Sequence, residues 1–279
     1  MGKQPCYLLR NSSERMGIRF WSGLLLSLAM LACFNQTFAG EKPRIVFFIS
    51  EPEYETEVTL PKFAEEWLDS EQFDIQYIYS SENDPDQFPK LKQLNQADCL
   101  VLSVRRRTPS EKQMKIIRRY FKQGKPMVGI RTASHPFSLR KQDPPEGKVD
   151  WPNFDVEVLG AHYENHYSNK GGTEVQPSKA TAEHPITQFM KGSEGFHSGG
   201  TLYRSVDFQE QTEVLLEGVA EDKEGEMVRH PVAWTNHYGK SRIFYTSLGH
   251  REDFESPLFN QMLRNAIYWA IEKEAPAGN

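Results

Sequence analysis

The stretch PMVGIRTASHPF, residues 126–137, decides how this chain folds. Pro126 to Ile130 is a short apolar run of the kind that forms a strand buried on both faces. From Gly129 the chain opens into a turn that carries Arg131, Thr132, Ser134 and His135. Open α/β sheets bind ligands beyond the carboxyl ends of their strands, so a buried strand running into a polar turn marks a site.

Upstream of this turn, strand-like and helix-like runs alternate. Arg44 to Ser50 (RIVFFIS), Phe73 to Tyr79 and Ala97 to Val104 read as strands. Between them, Thr59 to Asp69 places Leu60, Phe63, Ala64, Trp67 and Leu68 at helical spacing, and Pro89 to Leu94 suggests a short helix. Thr108-Pro109-Ser110-Glu111 reads as a helix start with Thr108 as N-cap, and Gly124 as the stop. The order predicts an α/β fold: a doubly wound, mostly parallel, flavodoxin-like sheet with helices on both faces. It also brings Ser50–Thr56, Val104–Thr108 and Arg131–Phe137 to one sheet edge. Residues 138–182 form a long irregular insert after the fourth strand, too aromatic for disorder. Strand-like pieces return at Thr212–Leu216, Pro231–Thr235 and Arg242–Ser247, and an amphipathic helix spans Ser256–Ile271.

Residues 1–39 read as a signal peptide. Lys3, Arg10, Arg15 and Arg19 precede the apolar run Phe20–Phe34, which is short for a membrane span, and Thr37-Phe38-Ala39 suits cleavage. An uncleaved anchor and a lipid anchor at Cys33 are the competing readings. Export to the periplasm or exterior of a bacterium is the expectation, with residues 40–279 forming one domain. Without the leader, 29 basic residues face 37 acidic ones, a net charge of −8. That disfavours nucleic acid or anionic lipid as partner. Cys99 is then the lone cysteine, set in an apolar run, so packing and not a disulfide must hold the fold.

Several segments resemble the trehalose-utilisation (ThuA-like) family, built on the class I glutamine amidotransferase-like fold. They are VGIRTASHPF (128–137), WPNFDVEVLGAHYENHY (151–167), EHPI (183–186) and, above all, HPVAWTNHYGKSRIFYTSLGHREDF (230–254) leading to NAIYWA (265–270). The resemblance implies that fold and a role in sugar catabolism, in some members on oxidised disaccharides. Two departures limit it. Amidotransferases of this fold carry a cysteine where Arg131 stands, so glutamine hydrolysis is not implied. Many members also carry an Asp-Glu pair before a Tyr where this chain has GGTLY (199–203).

All eight histidines follow residue 134. His135 is the first candidate for proton transfer, with a pKa naturally near neutrality; its bland alternative is fixing the turn. Arg131 offers a planar cation for a carboxylate, phosphate or oxyanion, or else a buried ion pair to Asp155 or Glu157. His250, in the family's terminal Gly-His, is the expected catalytic partner, with helix capping as alternative. Ser134 as nucleophile is disfavoured because no Gly-x-Ser-x-Gly elbow is present and adjacent strand residues point apart. One of Arg105, Arg106 and Arg107 could face the site. Trp151, Tyr163, Tyr167 and Trp234 offer flat faces for a sugar ring, and Asp155 an acid or base. His162 and His166, four apart, would share a face on a helix and give a weak metal signal. A divalent metal is the one cofactor left open. No nucleotide is expected, because the glycine fingerprint is missing after the first strand, where Glu51 and Glu53 stand. The reading is an exported enzyme of disaccharide or keto-sugar catabolism working by histidine acid/base chemistry. The rival is a carbohydrate-binding or interaction protein without turnover.

Overall fold

The structure, a computed structural model, describes residues 41–168, 170–178 and 183–276. The leader, with Cys33 and its cleavage site, lies outside them. Among the described residues no helix is long and apolar enough to cross a membrane.

One nine-stranded sheet dominates, in the order β2-β1-β3-β4-β11-β10-β9-β6-β7. Its parallel part runs through β2 (Asp74–Tyr79), β1 (Arg44–Ser50), β3 (Cys99–Val104), β4 (Met127–Ile130) and β11 (Ser241–Thr246). From β11 an antiparallel extension follows through β10 (Met227–Tyr238), β9 (Glu213–Glu221), β6 (Thr173–Pro177) and β7 (Phe196–Ser198). The expected α/β sheet is therefore present, parallel across the strands that end at the site. Pro231 sits inside β10 at an irregularity in its pairing with β9, where a missing N–H costs least. A separate ribbon pairs β5 (His162–His166) with β8 (Tyr203–Val206).

β1 explains why the sequence had to be nearly all apolar here. Ile45, Phe47 and Ile49 enter one buried cluster with Leu60 and Phe63 of helix α1 (Thr56–Trp67) and Phe259 and Met262 of helix α3 (Pro257–Ala270). Val46 and Phe48 point the other way, into a cluster with Met114, Ile117 and Phe121 of helix α2 (Glu111–Lys122). A strand with helices against both faces buries every residue, each apolar one contributing about 1.5–3 kcal/mol.

The start of α2 differs from expectation. Its N-cap is Ser110, whose hydroxyl accepts from the Gln113 N–H at 3.4 Å. Thr108 is engaged elsewhere, its N–H and hydroxyl both donating to the Asp86 carboxylate. Ser110→Ala is expected to lower the unfolding free energy by about 1 kcal/mol. Thermal denaturation would read this as a loss of about 2–4 °C; an unchanged midpoint would mean the cap lies elsewhere. Gly124 does end the helix, in the left-handed conformation.

Candidate active site

The turn after β4 is a single 3₁₀ turn, Arg131–Ser134. Arg131 has φ 43°, a left-handed backbone that a side chain adopts at a cost of about 1–3 kcal/mol. Its carbonyl is held by the Tyr245 hydroxyl at 2.7 Å and by the Ser134 hydroxyl at 3.3 Å. The position where the resemblance implies a cysteine in amidotransferases is thus a strained, left-handed arginine here.

That arginine does not face a ligand. Its side chain is buried, with Nη1 donating to the Ser247 carbonyl at 2.8 Å. The guanidinium lies 4.3 Å from the Tyr54 ring centre and 4.7 Å from that of Tyr203. A Cβ on Gly200 would stand 2.7 Å from Nη1, so the Gly199-Gly200 pair lets the chain close over the cation. The expected ion pair to Asp155 or Glu157 does not form. Arg131 is the centre of an aromatic stack.

The stack also separates the two histidines expected to work together. His250 lies 6.1 Å from Tyr54 at one end, and His135 lies 6.4 Å from Tyr203 at the other. His250 caps the 3₁₀ turn Arg251–Glu255, and the buried Asp253 carboxylate accepts from the Gly249 and His250 N–H groups. Its role is the helix cap, the alternative reading.

His135 opens onto a narrow cleft of about 160 Å³ that Arg106, Arg140, Asp155, His162 and Tyr163 also line. Its ring stacks on Tyr163, centres 4.7 Å apart at 23°. Its Nδ1 is 2.9 Å from the Ser134 hydroxyl oxygen. The two adjacent side chains meet because the backbone is a 3₁₀ turn and not the strand that would splay them apart. Among the described residues Nε2 has no hydrogen-bond partner. Burial first, then the charges of Arg106, Arg105, Arg131 and Arg140, hold the His135 pKa well below the ordinary histidine value.

Asp155 and His162 form a second unit. The segment DVEVL, which also suits a half-exposed strand, is instead one turn of π-helix, Asp155–Leu159. This turn buries the Asp155 carboxylate, which accepts from the Val156 and Tyr163 N–H groups at 2.8 Å and lies 3.1 Å from His162 Nδ1. His162 and His166 lie on β5, where four residues span about 13 Å. A helix would bring them together; this strand does not, so they are not one metal site. Among the described residues no three His, Cys, Asp or Glu side chains are grouped to hold a metal ion.

Neither tryptophan offers a face. Trp234 is 1% exposed, packed on Tyr245 and Phe208, with Nε1 donating to the Leu159 carbonyl. Trp151 is equally buried, under the Arg118 guanidinium at 4.0 Å, with Nε1 on Glu157. Tyr163 lines the cleft, and Trp151 contributes to its wall although only 2% exposed; Tyr167 instead bonds His230. Arg140, Tyr54 and Tyr203 escaped the sequence reading. Only Tyr203 carried a signal, at the end of the departing GGTLY stretch.

The mostly parallel sheet, the left-handed residue after β4 and the crevice beyond the strand ends define an α/β protein. The family described as ThuA, trehalose utilisation, matches residues 45–270, and the chain belongs to it. A ThuA-like protein from Parabacteroides merdae is similar in structure, with a TM-score of 0.59 at 16% identity over 85% of this chain and 93% of that one. A cytoplasmic protein from Salmonella typhimurium aligns with a TM-score of 0.50 at 14% identity, over 82% of this chain and 98% of that one. At such identities these likenesses speak for the fold alone. No curated protein matches the chain.

Proposed function

We propose that this ThuA-family chain is an enzyme acting on a carbohydrate, abstracting a proton beside a carbonyl with His135 as base. One observation carries the reading: an imidazole held through Nδ1 by Ser134, with an unpartnered Nε2 on a cleft, and a pKa that burial and the nearby arginines push down. In the step, Nε2 takes the C–H proton. The C–H electron pair becomes the carbon–carbon double bond of an enolate, and the negative charge moves to the former carbonyl oxygen. The Tyr163 hydroxyl on the cleft wall supplies a hydrogen bond to that oxygen. His162, held by the Asp155 carboxylate, is placed to carry a proton to or from the other side. Tyr163, whose pKa burial pushes up, stays a hydroxyl donor. Arg131 and His250 position the wall of the cleft and take no proton.

The rival reading, carbohydrate binding without turnover, draws on the missing thiol at Arg131 and the missing carboxylates at 199–203. Export rests on the leader's charge and hydropathy pattern, and the doubly wound reading on the two apolar clusters that sandwich β1. The cleft favours a small ligand, below the roughly 300–1,000 Å³ of drug-sized sites.

Purified chain incubated in D₂O with reducing sugars, keto-sugars and oxidised disaccharides, followed by proton NMR, tests the chemistry. The resonance next to the carbonyl is expected to disappear with one class of sugar and persist without protein. Saturable binding with no exchange and no product would make this a binding protein. Neither binding nor exchange would remove carbohydrate from the reading.

A further inference from the structure

We infer that the cleft beside His135 is built for an anion, so that the carbohydrate it takes carries a carboxylate or phosphate held by Arg106 and Arg140. The inference rests on the carbohydrate reading for the sugar and on the following geometry for the charge.

Three consecutive arginines follow β3, and their surroundings differ. Arg105 is neutralised by Glu53 at 2.6 Å, and Arg107 donates from Nε to the Ser50 hydroxyl at 2.7 Å. Arg106, between them, makes no side-chain hydrogen bond or ion pair among the described residues. It is half-buried, and a buried cation without a counter-charge is costly. Its backbone is left-handed, φ 52°, and its N–H donates to the His135 carbonyl at 3.0 Å. Strain and that hydrogen bond together aim the guanidinium at the cleft and fix it relative to the imidazole.

The acids on the same wall are already used. Asp155 is taken by two backbone N–H groups and His162, and Glu164 by Arg204 at 2.7 Å. Arg140, an exposed residue, also lines the cleft and forms no ion pair among the described residues. The lining therefore holds two arginines without an ion-pair partner, while both of its carboxylates are held by other groups. Those free guanidinium groups point to the ligand. Burial, then the charge of Arg105, pulls the Arg106 pKa down, as expected for a cation that lacks its counter-ion. A seated anion would also offset the positive field at His135, making it a better base when substrate is present.

Calorimetric titration of the purified chain tests this, with glucose as the neutral probe, gluconate and glucuronate as carboxylates, glucose 6-phosphate as phosphate ester, and inorganic phosphate and acetate as anions without a sugar. An anionic sugar is expected to bind about 10- to 100-fold tighter than glucose, as charge-assisted pairs do. The carboxylate and phosphate arms tell which anion it is. Arg106→Met should erase most of that ratio. Glucose binding as well as every anionic sugar, or an unchanged ratio in Arg106→Met, would overturn the inference and leave the carbohydrate reading standing. Binding of phosphate or acetate with no sugar of any charge would keep the anion site and sink the carbohydrate. Binding of nothing would overturn both.

Discussion

Trp234→Ala is expected to destabilise the protein by about 3–5 kcal/mol, the usual cost of emptying a buried aromatic site. The ring is 1% exposed and packs on Tyr245, 4.6 Å away, and on Phe208, 5.1 Å away. Truncation opens a void between β10, β11 and the π-turn, and leaves the Leu159 carbonyl without its indole donor. For a domain of this size the unfolding midpoint should drop roughly 6–20 °C. Trp234→Phe keeps much of the volume and loses the hydrogen bond, so it should cost less than half as much. Differential scanning calorimetry beside sugar titration separates two roles for this residue. A platform for sugar would lose ligand affinity with the midpoint intact, and that result would sink the packing account.

The same residue shows where sequence reading reaches and where it stops. RIVFFIS could be assigned because a strand buried on both faces leaves little room for polar side chains, and Ile45, Val46, Phe47, Phe48 and Ile49 all report that burial. WPNFDVEVLG could not, because its alternation of acid and apolar residues fits a strand and a π-turn equally. Only the partners of Asp155, two N–H groups and His162, decide between them. Aromatic residues carry a similar ambiguity: a tryptophan in a core and one under a sugar look alike until exposure is known. Arg131 and His135 were both legible as polar groups at a strand end. Their orientations were not, since a left-handed φ at Arg131 turns its side chain beneath Tyr54 and Tyr203 while His135 stays at the cleft. The i, i+4 spacing of His162 and His166 carries meaning only once the period is known. On β5 it separates what a helix would have joined. Arg106 is the subtler case: the run of three arginines was visible, but the choice among them rests on Glu53 and Ser50, about 50 residues upstream.

His135→Gln is expected to slow deuterium exchange into the sugar by about 10²–10⁴-fold, the range for loss of a positioned base. Glutamine preserves a hydrogen bond to Ser134 but offers no basic nitrogen, so the loss should fall on kcat more than on KM. The pH dependence adds a signature that a structural role would not give. The base must be unprotonated, and its pKa lies well below the ordinary value of 6.5. Activity with a neutral sugar should therefore stay level through neutrality and decline only on the acid side. Stability follows the same linkage. Between the folded and unfolded pKa values the unfolded chain binds the proton and the native protein does not, so ν for the unfolded state is the larger. Unfolding free energy then rises with pH in that window, by up to about 1.4 kcal/mol per pH unit for one group. The contribution is fully present above about pH 6.5 and is lost as pH falls through the folded pKa. His184 and His230, also lowered by burial, add slopes of the same sign. Only the difference between wild type and His135→Gln isolates this residue, and the variant's curve should be the flatter. A variant that keeps both the exchange rate and the slope would remove His135 from the chemistry. A variant that loses the slope but keeps the rate would reduce it to a neutral, buried support of the turn.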